Sequence, residues 1–185
     1  MLKIISIILL LASAALSVAK ADSNIIPDLL SEDFKQSTYK EVGRAKFSVL
    51  FWDIYNSTLY TKSGDYLHEN FPESLLFKIE YLKDISADDL LKRTIEQWQH
   101  LQIPKSQYSP FIPKLKAIWP NISAGDSLVM LVENNKSVFY FNDRKIGVIQ
   151  EPEFSRLFLD IWLSPETSQT QLRAQLLGKK ENEDI

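Results

Sequence analysis

From Arg44 the chain alternates. Ala45, Phe47, Val49 and Phe51 fall between Lys46, Ser48 and Leu50, a period of two that predicts a strand. Trp52 to Thr61 continues with β-branched and aromatic residues. One long strand is therefore expected, closed by the Ser63-Gly64-Asp65 turn. Leu75–Tyr81 is a second, with Leu75, Phe77, Ile79 and Tyr81 on one face. The period then lengthens. Leu90, Leu91, Thr94, Ile95 and Trp98 recur at three and four residues, the spacing of an amphipathic helix. Ser86 is its expected N-cap and Pro104 its stop. Tyr108 to Trp119 reads as a further helix, with Phe111, Leu115 and Ile118 or Trp119 as its apolar stripe. Three short strands follow, Ser127–Glu133, Ser137–Asn142 and Lys145–Ile149, joined by Asn134-Asn135-Lys136 and Asp143-Arg144 as a meander. A helix then presents Phe154, Leu157, Phe158, Ile161 and Trp162, and Ser164-Pro165 ends it. A last helix, Gln169 to Leu177, is expected under a Ser168 cap and a Gly178 stop. Segregated strands with hairpin spacing and long amphipathic helices define an α+β domain, an antiparallel sheet covered on one side by helices.

The N-terminal stretch has another pattern. Lys3 precedes a charge-free run from Ile4 to Ala19, and Ala19-Lys20-Ala21 puts small residues at −3 and −1 before Asp22. This is the layout of a cleaved secretory signal, and the run is short for a spanning helix, which needs about 20 residues. The expected organisation is a signal peptide at 1–21, a lead-in at 22–41 with a short helical piece around Pro27–Phe34, a domain at 42–178 and a charged tail at 179–185. Cleavage takes 185 residues down by 21 to 164, enough for one domain with a real core. Losing Lys3 and Lys20 leaves 19 basic against 24 acidic residues, a mature charge of −5. The expected product is an exported soluble monomer, periplasmic or secreted, with no membrane span after cleavage.

Composition removes several classes of function. No Cys means no disulfide, thiol nucleophile, cysteine metal site or lipoprotein anchor, and two His cannot build a three-histidine site. No metal and no cofactor are therefore expected. The acidic balance argues against nucleic acid as a partner. No glycine-rich phosphate loop, nucleophile elbow or zinc-protease motif occurs, and the five Gly fall at turns. His68 lies in a polar loop and His100 ends the first helix, where the helix dipole explains it. Asp88 and Asp89 suit a first helical turn. The sequons at Asn56 and Asn121 are discounted. What remains is aromatic: Phe47, Phe51, Trp52, Tyr55 and Tyr60 along the first strand, either core or the lining of an apolar pocket. Arg44 stands at that strand's entry, either on the surface or clamping a carboxylate at the pocket mouth.

Gly43-Arg44-Ala45-Lys46-Phe47-Ser48-Val49-Leu50-Phe51-Trp52-Asp53-Ile54-Tyr55 with Thr58-Leu59-Tyr60-Thr61 resembles the opening strands of bacterial secreted chalcone isomerase-like proteins. The similarity continues through Glu80-Tyr81-Leu82-Lys83-Asp84-Ile85, Arg93-Thr94-Ile95-Glu96-Gln97-Trp98, Trp119-Pro120 and Phe139-Tyr140-Phe141-Asn142. It ends in Ile161-Trp162-Leu163-Ser164-Pro165-Glu166-Thr167-Ser168 and Leu176-Leu177-Gly178. The resemblance implies an open-faced β-sandwich, a large antiparallel sheet with a helical layer and a cleft between them. In plant chalcone isomerases that cleft closes a flavanone ring by intramolecular Michael addition, supported by an arginine, a threonine, a tyrosine and an asparagine. Members without these residues bind fatty acids. Matched position by position, Tyr55 stands in place of the threonine, Ser86 of the tyrosine and Arg93 of the asparagine, and Arg44 fills the arginine role only with a shift in spacing.

Three readings follow. The preferred one is a non-catalytic binding protein for a small apolar or amphipathic molecule such as a fatty acid. Arg44 and Arg93 would meet a carboxylate, and Trp52, Tyr55, Tyr60 and Phe77 would line the cleft. The second is an isomerase or lyase on an enone-like substrate, with Tyr55 as general acid and Arg44 as electrostatic stabiliser. The third is an envelope structural or interaction protein whose cleft is packed solid.

Overall fold

The computed structural model describes residues 39–179. The expected signal peptide, the helical piece at Pro27–Phe34 and the tail from residue 180 lie outside the described residues. Six strands, β1 (Lys40–Val49), β2 (Trp52–Thr61), β3 (Leu75–Tyr81), β4 (Ser127–Glu133), β5 (Lys136–Phe141) and β6 (Arg144–Ile149), form one sheet in sequence order. Every neighbouring pair is antiparallel. The helices are α1 (Ala87–His100), α2 (Lys105–Tyr108), α3 (Ile112–Ile118), α4 (Pro152–Leu163) and α5 (Thr170–Leu176), with a 3-10 turn at Ser109–Phe111 between α2 and α3. This is the expected α+β architecture.

The expected single long strand from Arg44 is two. The chain reverses at Leu50-Phe51, and Val49 pairs with Trp52 across the turn. Aromatic and β-branched residues run unbroken through the bend, so nothing in their propensity marks it. Leu50 itself takes φ 55°, a conformation in which turns ordinarily place glycine. The other two tight hairpins carry ordinary turn residues at positive φ: Asn134 and Asn135 between β4 and β5, and Asn142 and Asp143 between β5 and β6.

The core lies between sheet and helices. Trp98 of α1 is fully buried, stacks on Tyr108 at 5.2 Å and donates from Nε1 to the Leu157 carbonyl at 2.9 Å. Phe154 and Phe158 of α4 stack on one another at 5.6 Å, and both meet Phe139 of β5. Ser86 caps α1, its Oγ accepting from Asp89 N–H at 3.1 Å, and Asn121 Oδ1 accepts from Ala87 N–H at 2.9 Å. These bonds satisfy two of the orphan donors of the helix start. Ser168 does not cap α5. Gln169 holds that position, and the Ser168 hydroxyl donates instead to Gln97 Oε1 at 2.7 Å. The end of α5 presses onto β1 at Gly43, where a Cβ would stand 2.3 Å from the Gln175 carbonyl oxygen. A smaller apolar cluster, Leu76, Val129, Leu131, Val138 and Tyr140, occupies the opposite face of the sheet.

Candidate functional site

The helical layer does not close fully on the sheet. Alternation along the strands aims Phe47, Tyr55, Phe77, Ile79 and Tyr81 at the helices. Leu90 and Thr94 of α1 and Ile161 and Trp162 of α4 face them from above. Between them is a cavity of about 710 Å³, within the roughly 300–1,000 Å³ usual for small-molecule sites. Its rim is exposed, with the apolar Val49 beside the charged Lys83, Asp84, Asp89 and Arg93.

Each rim carboxylate has a partner. Glu96 accepts from Arg93 Nη1 at 2.7 Å, Asp84 from Ala124 N–H at 2.8 Å and Asp89 from Ser86 Oγ at 2.6 Å. Lys83 forms no ion pair among the described residues, and its ammonium lies 4.7 Å over the Trp52 ring. The rim thus offers two cations, Arg93 and Lys83, to an incoming anion.

Inside, Tyr55 is the main polar feature. Its hydroxyl accepts from Trp162 Nε1 at 2.9 Å. A phenol that accepts still has its own proton to donate, so the bond leaves Tyr55 able to reach a ligand oxygen. Tyr55 is only partly buried and lines the cavity. Desolvation pushes its phenol up to about 12, against a smaller downward effect of the Trp162 bond. Burial also raises Tyr81, far more than it raises Tyr39 or Tyr60. Both cavity tyrosines are neutral hydrogen-bonding groups at ordinary pH. Phe77 packs against Trp162 in a tilted contact, ring centroids 4.8 Å apart, which helps to hold the indole in place.

Of the residues singled out in the sequence, the structure brings Tyr55, Phe77 and Arg93 together around the cavity. It separates Arg44, Trp52 and Tyr60 from it. Tyr60 is five residues from Tyr55, an odd spacing that turns it to the opposite face, where it packs on the second cluster. Arg44 likewise alternates with the inward Ala45 and is bonded by Glu41 on the outer face. Trp52, also at an odd spacing from Tyr55, stands at the hairpin tip, 62% exposed. Ser86, matched to a family tyrosine, is occupied as a helix cap. Sequence reasoning missed Lys83 and Trp162. Lys83 lies in the bend two residues after β3 ends at Tyr81, and Trp162 sits on the α4 stripe, where a lining residue and a core residue read alike.

The histidines lie elsewhere. His68 Nε2 is 3.1 Å from Asp160 Oδ1, and Arg156 Nη2 donates to the His68 carbonyl at 3.0 Å. Together they fasten the β2–β3 connection to α4. His100 is exposed at the end of α1. Asp88 pairs with Lys116 at 3.3 Å. Among the described residues no group of His, Asp and Glu is placed to hold a metal, and no helix is long and apolar enough to cross a membrane.

An open-faced antiparallel sheet in sequence order, with a helical layer propped off it around an apolar cavity with a charged rim, defines the class of fold, an α+β open-faced sandwich. The chain belongs to the chalcone isomerase-like family, whose model matches residues 29–178. It is 25% identical over 141 residues to an uncharacterised protein of Haemophilus influenzae, covering 76% of this chain and 69% of that one. Among solved structures it is similar to a fatty-acid binding protein of Arabidopsis thaliana, with a TM-score of 0.59 and 11% identity over 76% of this chain and 87% of the other. At that identity the likeness is one of fold.

Proposed function

We propose that the protein binds a small apolar or amphipathic molecule carrying a carboxylate, of fatty-acid type, and does not transform it. The observation that carries this reading is the cavity: an apolar interior of about 710 Å³ with Arg93 and Lys83 at its rim. An acyl chain gains by burial in such an interior at about 0.8 kcal/mol per CH2, while its carboxylate stays at the rim beside the two cations. The fold likeness to a plant fatty-acid binding protein supports the same reading. Against the isomerase reading, Arg44 and Tyr55 lie on opposite faces of the sheet and cannot act on one substrate. Against a solid interior stands the open cleft itself.

The test is titration of delipidated full-length mature protein with long-chain carboxylic acids, by calorimetry and by displacement of a fluorescent fatty-acid probe. Saturable one-to-one binding is expected. Absence of saturable binding for every chain length sinks the proposal. We also propose that the chain is exported and acts in the periplasm or outside the cell, on the strength of the leader-like segment at 1–21. N-terminal sequencing should find Asp22 first, and a mature chain starting at Met1 would contradict cleavage.

A further inference from the structure

The β1–β2 hairpin ends in an apolar point. Leu50 is 87% exposed, Phe51 99%, Trp52 62% and Val49 48%. The protein's other two-residue hairpins use Asn-Asn and Asn-Asp, the residues that turn geometry favours. Here the chain accepts a leucine at φ 55° and sets a phenylalanine beside it in full solvent. Both choices go against local stability and solubility, a pattern that marks a working surface. The point is also placed. Val49, at its base, is part of the cavity rim, and so is Lys83, whose ammonium lies over Trp52.

We propose that this tip inserts into the surface of a phospholipid bilayer and sets the cavity mouth against it. The shape selects this partner over a protein. Four side chains on a convex end offer a fraction of the about 800 Å² per partner that a specific protein interface buries. A bilayer accepts a small apolar point at its headgroup boundary. A tryptophan with a lysine against it suits that boundary, the ring among the headgroups and the ammonium beside the phosphates. Lys46 stands three pairs back on β1, bonded to Asp53 at 2.9 Å, and Arg93 is on the rim. A mature charge of −5 provides no general attraction to an anionic surface, so docking rests on apolar insertion and depends little on salt. The docking stands on the tip alone; its use in loading the cavity directly from a membrane rests on the proposed function.

The experiment is co-sedimentation of the full mature chain with vesicles of phosphatidylcholine, and of phosphatidylcholine mixed with phosphatidylglycerol, at low and high salt. The variant is the double substitution Leu50→Gly and Phe51→Ser, which relieves the positive φ while removing the apolar point. The wild type is expected to bind both vesicles, with little loss in salt. The variant should partition about tenfold less or weaker still, with its urea midpoint unchanged or raised and its affinity for a fluorescent fatty-acid probe unchanged. Wild-type protein that stays in the supernatant with both vesicles overturns the proposal, whatever the cavity binds. So does a variant that still sediments, or binding confined to anionic vesicles and abolished by salt. A wild-type dimer in sedimentation velocity that the variant loses would assign the tip to a second copy and overturn it as well. Probe binding reports separately on the cavity, so the two readings fail independently.

Discussion

Tyr55→Phe removes one oxygen from the cavity wall and has opposite consequences at neutral and alkaline pH. At pH 7 the lost hydroxyl leaves the half-buried Trp162 N–H without its acceptor. Such an orphaned donor costs about 1–3 kcal/mol, and toward the lower end here, because water in the cavity can replace the oxygen. The alkaline effect runs the other way. Folding pushes the Tyr55 phenol up from an ordinary 10 to about 12. A group with a raised folded pKa keeps its full contribution below its unfolded value, and that contribution is lost as pH rises through the folded one. Between pH 10 and 12 the unfolded chain releases a proton that the folded chain retains, so wild-type stability falls. The fall reaches about 1.4 kcal/mol at pH 11 and tends to about 2.7 kcal/mol above pH 12, at 1.36 kcal/mol per unit. A phenylalanine at this position has no such proton. The variant should therefore be the less stable form at pH 7, draw nearly level by pH 11 and become the more stable form beyond pH 12. Urea unfolding followed by far-UV circular dichroism at pH 7, 10 and 11 measures this, with the slope m required to stay constant. The tyrosines remote from Tyr55 titrate in both proteins and cancel in the difference; Tyr81, whose phenol is raised first by burial and then by Tyr55 beside it, adds to the difference only where Tyr55 is ionised. A stability gap that stays the same from pH 7 to 11 would refute the claim that Tyr55 is desolvated in a closed wall.

Arg93→Glu reverses one rim charge and should weaken a long-chain carboxylate about threefold to tenfold, a modest figure because the guanidinium is exposed and shared with Glu96. The corresponding alcohol should bind equally to both proteins in probe displacement, and equal weakening of acid and alcohol would remove Arg93 from carboxylate recognition. Leu90→Trp fills the cavity from α1. It should shorten the longest acid that binds, read by titration across chain lengths, with the melting temperature held or raised; an unchanged chain-length limit would show that the ligand lies elsewhere. Gly43→Ala forces a Cβ into the end of α5, where three backbone atoms lie within 2.8 Å, and overpacking of this kind costs about 1–3 kcal/mol. Thermal denaturation checks it, and an unchanged midpoint would mean that α5 is free to move off β1.

The sequence carried the architecture because its layers are written in periods. Alternation in Leu75–Tyr81, broken only by Leu76 on the second face, and three-and-four spacing in Leu90–Trp98 each present an apolar face, and those faces must meet. The hairpin at Leu50-Phe51 was illegible for the converse reason: its residues are strand formers, and only the positive φ of Leu50 reveals a turn. Trp52 and Tyr60 joined the lining through aromatic type alone, although each stands at an odd spacing from Tyr55, which in a single strand already places it on the opposite face. Lys83 was hidden because a lysine after a strand is ordinary in sequence, and only the cavity gives it a position.

The family positions that resemblance assigns to chemistry are occupied here by residues with other work. Ser86 spends its hydroxyl on the start of α1, holding Asp89 N–H and bonding its carboxylate. Tyr55 takes a hydrogen bond from Trp162, and burial keeps its phenol far from the acidity a proton donor at neutral pH requires. Arg93 leans outward onto Glu96 at the rim, where it can meet an anion but not the middle of a buried chain. Arg44 is on the other side of the sheet, bonded by Glu41. A general acid, its stabilising cation and a substrate must lie within hydrogen-bond reach of one another, and no two of these four side chains are joined in that way in the structure. What the cleft presents instead is a sheet face of aromatics, helices packed above it through Trp98 and Phe158, and cations at the entrance. A site arranged like this favours a ligand with one charged end and a long apolar remainder.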